Sequence, residues 1–473
     1  MFRALSSVLL LLYLLVPGLL SAESDPPPGA LRTALDRYVA QPDPHYSYKL
    51  VNTVEGPGYT AYILDVTSQV WRKPEEVDRT VWKHWLTILK PAKVDTTTAM
   101  LFIGGGENGG PAPGKVDDMI AQIALGTNSV VASLGQVPNQ PLHFPDEPME
   151  KYKERGREED AMITYTWDKY IKTADEGWPA RLPMTKSAVR AMDTITLFLA
   201  SEEGGGIPID TFYVAGGSKR GWTTWTTAAV DPRVIGISPI VIDMLNLEKS
   251  FEHHYRAYGH WSEAVGNYEE MGLMDYMGDE RYHNLLKIVE PYEYRSRYWM
   301  PKFLINSSGD EFFLPDSSQF YWDDLPGVKY LRYVPNAPHS LGGSDAVESL
   351  AAFYHAILYN DPLPKYDWEI LGDGAIRVET EDEPTEVKLW KATNPETRDF
   401  REKVVGKIWE SETLEPWQEG IYIGKVETPE KGWTAFFVEL TYPSGAQVPF
   451  KFTSEVHVVP ETLPFEYPPE EKK

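Results

Sequence analysis

The sequence of 473 residues predicts an α/β protein in which a mostly parallel sheet flanked by helices precedes a smaller all-β domain. Continuous apolar runs at 98–103, 129–134 and 211–215 are separated by segments with helical periodicity. That alternation is typical of parallel strands that are buried on both faces. After Pro364 the pattern changes to short alternating runs separated by turns, which is typical of a β-sandwich.

The segment before the first buried strand predicts a short helix and an antiparallel start to the sheet. Residues 31–39 have a helical pattern, and the runs 46–51 and 59–68 alternate as strands do. Glu55-Gly56-Pro57-Gly58 forms a turn between them. A further strand is expected at 82–89.

Helices and strands then alternate along the chain. A helix at 117–126 connects the first two buried strands, and an amphipathic helix at 186–201 leads to the third. The remaining elements expected in this domain are strands at 234–242, 302–306 and 329–334, and a closing helix at 346–359.

Two long insertions interrupt this pattern, at 138–183 and 243–300, and both are rich in aromatic residues. We expect the second insertion to lie over the mouth of the site as a cap. The predicted α/β domain spans 30–362, the sandwich-like β domain spans 366–462, and a polar tail follows at 463–473. Strands are expected in the β domain at 376–379, 386–390, 420–426, 434–440 and 450–459.

Residues 1–22 predict a cleavable secretory signal peptide. Arg3 precedes an apolar run at 8–16, and Leu20-Ser21-Ala22 is a suitable cleavage site. The alternative of a membrane anchor is disfavoured, because the run is short and Pro17-Gly18 interrupts it. We therefore expect a secreted or periplasmic protein without stable membrane insertion after cleavage.

Composition excludes several classes of function. The chain has no cysteine, which excludes disulfides, thiolate metal sites and a cysteine nucleophile. The formal net charge of −25 argues against binding to nucleic acid. His253, His254 and His260 near Glu252 match no metal-binding spacing, so neither a metal nor a cofactor is expected. The sequence does not define an oligomeric state.

The most informative motif is Gly216-Gly217-Ser218-Lys219-Arg220-Gly221, which follows a predicted strand and precedes a predicted helix. A serine between glycines on such a turn is how α/β-hydrolases expose their nucleophile. Glycine comes one position later here than in the usual G-x-S-x-G, because Arg220 stands two residues after Ser218. A plain Gly-rich turn with a capping serine is the alternative interpretation.

A serine nucleophile needs a histidine base and an acid that orients it, and α/β-hydrolases carry them in the order Ser, acid, His. Asp310 follows the strand predicted at 302–306, and His339 follows the strand predicted at 329–334. Both positions are at carboxyl ends of strands, where such folds place their chemistry. The acids Asp243, Glu311 and Asp316 remain alternatives to Asp310.

The backbone amides predicted to bind the oxyanion are those of Lys219 and of Gly105 and Gly106 in the loop after strand 98–103. That loop lacks the G-K-[ST] ending of a nucleotide-binding loop. The Lys219 ammonium either faces the oxyanion, is solvated or is paired with a carboxylate. The side chains considered for substrate binding are Glu107, Asn108, Lys219 and Arg220.

With these residues in place, the chain resembles the family of PhoPQ-activated pathogenicity-related proteins. The segments that carry the resemblance are 216–225, 305–313, 335–340 and 389–401. The resemblance implies an α/β-hydrolase fold related to prolyl-peptidase-like hydrolases, and it implies that some relatives are secreted signalling proteins.

We therefore expect an exported serine hydrolase that cleaves an ester or a peptide bond in a small molecule or a peptide. Within this class, the basic residue after Ser218 also suggests a uronoyl-type carbohydrate ester. A binding or signalling protein on a hydrolase scaffold is the alternative from a different class.

Overall fold

The computed structural model describes residues 32–467. The predicted signal peptide at 1–22 lies outside the described residues, as do residues 468–473 of the predicted tail. Within the described range, no helix combines the length and the apolar character needed to cross a bilayer.

A nine-stranded sheet forms the centre of the first part of the chain, with strand order β1-β2-β3-β5-β4-β6-β7-β8-β9. Its strands are β1 (Ser47–Gly56), β2 (Tyr59–Val70), β3 (Val81–Pro91), β4 (Thr98–Ile103), β5 (Val131–Leu134), β6 (Thr211–Gly217), β7 (Val234–Ile240), β8 (Lys302–Ser307) and β9 (Lys329–Val334). Strands β1 and β3 run opposite to the others, and β4 to β9 are all parallel to one another. Apart from the extra edge strand β1, this is the strand order of the α/β-hydrolase fold.

Helices cover both faces of the sheet, because its central strands carry apolar side chains on both faces. On β4, Leu101 belongs to one core and Met100 to the other, and on β6, Val214 and Tyr213 divide in the same way. Successive side chains on a strand point to opposite faces, so a continuous apolar run builds two cores. The first core includes α1 (Ala34–Ala40), α5 (Arg181–Ala200) and α6 (Lys219–Val230), and the second includes α2 (Asp118–Thr127) and α10 (Ala346–Tyr359).

The two insertions are mainly helical. The first contains α3 (Glu150–Arg155) and α4 (Glu159–Thr173), and the second contains α7 (Leu247–Tyr258), α8 (Gly266–Glu270) and α9 (Glu280–Val289) with short 3-10 turns. The helix predicted at 186–201 begins earlier, at Arg181. Pro183 is in its first turn, where a missing N–H removes no intrahelical hydrogen bond, so this proline does not end the insertion as expected.

The last part of the chain is antiparallel throughout. One sheet has the order β10-β11-β14, and the other has the order β13-β12-β15-β16 with β17 also paired to β15. These strands are β10 (Tyr366–Ile370), β11 (Ile376–Thr380), β12 (Glu386–Asn394), β13 (Glu410–Thr413), β14 (Ile421–Gly424), β15 (Trp433–Tyr442), β16 (Phe450–Thr453) and β17 (His457–Val459), and a short helix α11 (Glu402–Val405) precedes β13.

Sequence patterns miss two of these strands and merge two others. Strand β13 is exposed at every position, so it has no hydrophobic pattern that could reveal it. The single run expected at 450–459 is divided into β16 and β17 by the segment 454–456. Strand β10 lies outside the expected strands, and its Trp368 packs on Trp322 with ring centroids 4.9 Å apart.

The β module shares a core with the sheet of the α/β domain. Phe452 on β16 is fully buried, and its ring centroid lies 4.4 Å from that of Tyr330 on β9 and 5.4 Å from that of Phe303 on β8. Aromatic side chains of this size dominate the energy of such contacts. The two parts of the chain are therefore joined by a packed apolar interface.

We predict that Phe452→Ala lowers the free energy of unfolding by about 3–5 kcal/mol, because the cavity it leaves lies between two parts of the chain that cannot close on it. Urea denaturation followed by fluorescence measures the change. Trp417→Ala is the matched aromatic control in the same module, since Trp417 is 71% exposed and should change stability by less than about 0.5 kcal/mol. Equal midpoints for the two variants would contradict the prediction.

Candidate active site

Ser218 lies at the turn between β6 and α6 in a strained backbone conformation, with φ 57° and ψ −126°. The Ser218 N–H donates to the Ile240 carbonyl over 2.8 Å, and the Ser218 carbonyl accepts from the Trp222 N–H over 3.0 Å. These bonds anchor the serine to both β7 and α6. A non-glycine residue at positive φ persists only where its surroundings fix it.

The glycines at 216 and 221 are required by close packing. A Cβ at Gly216 would lie 2.9 Å from the Arg220 carbonyl oxygen, and a Cβ at Gly221 would lie 2.9 Å from the Gly216 carbonyl oxygen. At Gly217 the nearest heavy atom to such a Cβ is 4.0 Å away. The late position of the second glycine therefore has a steric cause, since Gly221 is where the helix passes closest to the strand.

His339 and Asp310 are joined by a hydrogen bond of 2.8 Å between Nδ1 and Oδ2. The other carboxylate oxygen of Asp310 accepts from the N–H of Phe312 over 2.8 Å and from the N–H of Phe313 over 3.3 Å. Asp310 is buried, while the His339 side chain is partly exposed. A buried carboxylate fixed in this way can set the orientation and tautomer of the imidazole.

The other three candidate acids have different partners. Glu311 accepts the backbone N–H of His339 over 2.8 Å and does not bond its ring. Burial opposes ionisation of Asp316, but the charges of Arg398 and His253 outweigh it and hold the pKa of that carboxyl below its ordinary range.

Asp243 is buried between two tyrosines. It accepts from the Tyr321 hydroxyl over 2.5 Å and from the Tyr333 hydroxyl over 2.6 Å. Burial raises the pKa of Asp243 to about 7, although these two hydrogen bonds favour its charged form. Of the four carboxylates considered, the structure brings only Asp310 to the His339 ring.

Ser218 lines a cavity together with Phe312 and Phe313, which follow Asp310 in the chain. Within residues 32–467 no hydrogen bond joins the Ser218 hydroxyl to the His339 imidazole. The Phe312 ring contacts the imidazole at a centroid distance of 4.5 Å, and Phe312 also lines the cavity that contains Ser218. In hydrolases without substrate the serine–histidine bond is often long and tightens in the complex.

Of the three backbone amides predicted to bind an oxyanion, two lie in the loop after β4 and the third begins α6. The Gly105 and Gly106 amides have no hydrogen-bond partner in the described part of the chain, whereas the Gly104 N–H donates to Leu134 over 2.7 Å. Lys219 is the first residue of α6, so its N–H has no acceptor within the helix. The loop therefore has two amides that no described residue binds, and α6 begins with an amide that has no acceptor within the helix.

The two cations after Ser218 are paired with carboxylates of α4. The Lys219 ammonium lies 2.9 Å from Glu159 and 3.1 Å from Asp160. Arg220 donates to both carboxylate oxygens of Glu159, over 2.8 and 2.5 Å. Of the possibilities open for Lys219, the structure favours pairing with a carboxylate, and neither cation has its charge free for a substrate.

The remaining residues considered for substrate binding differ in availability. The Glu107 side chain is exposed and makes no ion pair within residues 32–467. Asn108 donates its backbone N–H to Gln140 over 2.5 Å and its side-chain amide to Pro141 over 3.3 Å. Asn108 is therefore part of the loop framework.

Arg181 and Glu159 are site residues that sequence patterns do not reveal. Arg181 is buried, donates to the Lys219 carbonyl over 3.0 Å and stacks on the Trp222 ring at 4.2 Å. Burial lowers the pKa of Arg181 below its ordinary value. Both residues come from the first insertion and its following helix, and their sequence signal is only that of charged residues in a charged segment.

The β module holds the loops that carry Asp310 and His339. Asn336, three residues before His339, accepts from the Trp409 N–H over 2.9 Å and donates to the Trp409 carbonyl over 2.8 Å. The Glu402 N–H donates to Gly309, directly before Asp310, over 3.0 Å. The segment between β12 and β13 thus bonds a side chain of one loop and the backbone of the other.

The histidines considered as metal ligands are bonded elsewhere. His253 bonds Asp316 over 3.0 Å, and His254 accepts the Ser262 N–H over 3.0 Å. Across residues 32–467 no group of three or more His, Asp or Glu side chains is arranged to hold a metal ion.

We predict that Asp243→Asn changes the pH dependence of stability. Native Asp243 keeps its proton to about pH 7, whereas an unfolded aspartate loses it near about pH 3.9. Its stabilising contribution is therefore complete below about pH 4 and is lost as the pH rises to 7. Relative to wild type, the variant should become more stable over this range, by at most about 1.4 kcal/mol per pH unit.

Urea unfolding at pH 4.5, 6 and 7.5 measures this difference. Asp324→Asn is the control, because Asp324 accepts a single tyrosine hydroxyl, that of Tyr292, in an exposed contact. A difference between Asp243→Asn and wild type that is constant with pH would contradict the assignment of a raised pKa.

A model of the PhoPQ-activated pathogenicity-related protein family matches residues 35–401. The chain is similar to Autocrine proliferation repressor protein A of Dictyostelium discoideum, with 40% identity over 462 residues and 92% of each chain covered.

Two solved esterases are more distant. Acetyl xylan esterase 1 from Thermoanaerobacterium sp. has a TM-score of 0.46 and 14% identity, over 69% of this chain and 92% of that chain. The glucuronoyl esterase from Solibacter usitatus has a TM-score of 0.39 and 16% identity, over 68% of this chain and 91% of that chain. The family match and the relative that is similar over nearly the whole length show that the chain belongs to the family of PhoPQ-activated pathogenicity-related proteins.

Proposed function

We propose that this protein is a serine hydrolase that cleaves carboxylic esters through a covalent acyl-enzyme on Ser218. The observation that carries the proposal is the 2.8 Å bond from His339 to buried Asp310 in a fold that presents Ser218 on a strained strand–helix turn. A serine, a histidine and an oriented carboxylate in this chain order form the catalytic unit of α/β-hydrolases.

The proposed mechanism uses each group in one role. His339 Nε2 accepts the Ser218 proton as Oγ bonds to the ester carbonyl carbon, while Asp310 keeps the proton on Nδ1. The amides of Lys219, Gly105 and Gly106 donate to the oxyanion. His339 then gives its proton to the departing alkoxide, and a water activated by the same imidazole releases the acid. Movement of the imidazole to Ser218 accompanies substrate binding.

Esters are favoured as substrates over peptides that an exopeptidase would cleave from the N-terminus. An exopeptidase needs carboxylates that capture the substrate ammonium, but Glu159 and Asp160 are paired with Lys219. Glu107 is left as a single exposed carboxylate near the glycine loop. The same pairing removes the support for a uronoyl-type ester, which rested on the basic residue after Ser218.

A neutral acyl group is favoured for the same reason. The carboxylates of α4 neutralise the charges of Lys219 and Arg220, so these two residues offer no free cation to an anionic substrate.

A second candidate function is a signalling protein of the exterior. It is supported by the name of the relative with 40% identity, an autocrine repressor of proliferation, and by coverage of 92% of both chains. This role and hydrolysis are separable, because a signalling surface does not require Ser218.

We predict that Ser218→Ala abolishes ester hydrolysis and labelling by a fluorophosphonate probe, since no other group supplies the nucleophile. A loss of at least about 10³-fold in kcat is expected. Ser340→Ala is the matched control, because Ser340 is an exposed serine next to His339. Equal labelling of Ser218→Ala and wild type would rule out the proposed nucleophile. A proliferation response that Ser218→Ala retains would separate signalling from hydrolysis.

We also predict a preference for short acyl groups. The cavity at Ser218 is small, because its volume of about 20 Å³ is little more than the 10–15 Å³ that one water molecule needs. Met244, Val265 and Phe313 are among its apolar walls. The kcat/KM for p-nitrophenyl acetate should exceed that for the octanoate by about 10-fold or more. Met244→Ala should reduce this ratio, and a wild-type preference for octanoate would contradict the prediction.

A further inference from the structure

We infer that Glu159 and Arg220 form a clamp that positions the glycine loop, Gly104–Gly106, against Ser218. This inference rests on the proposed function, because the loop supplies amides to the oxyanion. It makes Glu159 and Arg220 positioning residues, and it gives the first insertion a part in the active site.

The clamp begins with a two-point ion pair. The Arg220 guanidinium donates to the two oxygens of Glu159 over 2.8 and 2.5 Å, and its side chain is 13% exposed. A bidentate pair of this kind fixes both the position and the plane of the guanidinium. Arg220 leaves the first turn of α6, so the plane is fixed relative to Ser218.

The guanidinium then reaches the glycine loop by two routes. Arg220 Nε donates to the Val137 carbonyl over 2.6 Å, and the Val137 N–H donates to Gly104 over 3.1 Å. A Cβ built on Gly105 would lie 2.6 Å from Arg220 Nη2, so the guanidinium packs directly on the Gly105 backbone. The absence of a side chain at Gly105 is what allows this contact.

Glu159 is itself held in place. Its N–H donates to the Gln140 side chain over 2.8 Å, and its carboxylate accepts from the same side chain over 2.6 Å. Burial opposes its ionisation, but the bonds from Arg220 and the charge of Lys219 outweigh it and lower the pKa of Glu159 to about 2. The carboxylate is therefore charged at every pH at which an esterase assay is run.

The arrangement leaves the loop dependent on the clamp. Gly104 and Gly105 use their carbonyls in bonds to Val137 and Gln136, while the Gly105 and Gly106 amides have no partner among the described residues. A displacement of about 1 Å in such donors can reduce a rate by about 100-fold. A loop without the clamp is expected to keep its fold but lose the alignment of these amides.

The test compares Glu159→Gln with Asp168→Asn in the full chain. Gln keeps the size of Glu159 but removes the charge that orients Arg220. Asp168 pairs with Lys172 over 2.8 Å on the same helix, so its variant controls for changes to α4 alone. We expect Glu159→Gln to lower kcat for p-nitrophenyl acetate by about 10- to 100-fold with KM changed less than about threefold, and Asp168→Asn to stay within about twofold of wild type.

Arg220→Lys provides a second variant, because lysine keeps the charge but cannot make the fork. It decides the question if Glu159→Gln does not fold. Since the two residues act as one unit, the kcat of the double variant should lie no more than about twofold below that of the less active single variant. The clamp would be overturned by any of three results. These are losses in kcat that multiply in the double variant, a rise in KM without a loss in kcat, and wild-type kcat in both single variants.

A measurement without turnover separates this inference from the proposed function. Hydrogen–deuterium exchange of the peptide that contains Gly105 and Gly106 should be faster in Glu159→Gln than in wild type and Asp168→Asn. Unchanged exchange would overturn the clamp whatever the activity. Faster exchange in a protein without Ser218-dependent hydrolysis would support the clamp and remove the proposed function.

Discussion

The backbone of Ser218 is the constraint on which the rest of the site depends. A positive φ at a non-glycine residue costs about 1–3 kcal/mol, and here β6, β7 and α6 hold it through hydrogen bonds on both sides of the serine. The same tight turn brings Gly221 against Gly216, so the helix starts close to the strand. The other groups of the site must be positioned around Ser218, since the turn that carries the serine is fixed.

The turn also creates an electrostatic problem that the first insertion solves. Lys219 and Arg220 leave the first helical turn, where the helix N-terminus disfavours cations, and both side chains are largely buried. Unpaired buried charges cost several kcal/mol, so carboxylates must come from elsewhere in the chain. Glu159 and Asp160 supply them at the start of α4. Because these carboxylates serve the nucleophile turn, the insertion is part of the framework of the site.

Much of the fold and part of the site follow from local sequence signals. Continuous apolar strands, glycines around Ser218 and loops after β8 and β9 each leave a pattern within ten residues, and these patterns predict the sheet and the order Ser218, Asp310, His339. The choice among Asp243, Asp310 and Asp316 did not follow, because it depends on how three loops are placed in space. Sequence patterns do not reveal Glu159 for another reason. It lies 61 residues from Arg220 along the chain, and a charged residue in a charged segment has the pattern of a solvated surface.

The β module illustrates why such long-range bonds decide the geometry of the candidate site. His339 and Asp310 lie on separate loops whose local sequences impose no fixed separation. Asn336 meets Trp409 through two hydrogen bonds, and Glu402 meets Gly309 through one, so a single segment of the module spans both loops. Phe452 packs the module against β8 and β9, the strands that precede the two loops. The same core therefore supports both the strands and the segment that holds His339 and Asp310 in place. The module is thereby a structural part of the candidate site, whatever surface it presents to other molecules.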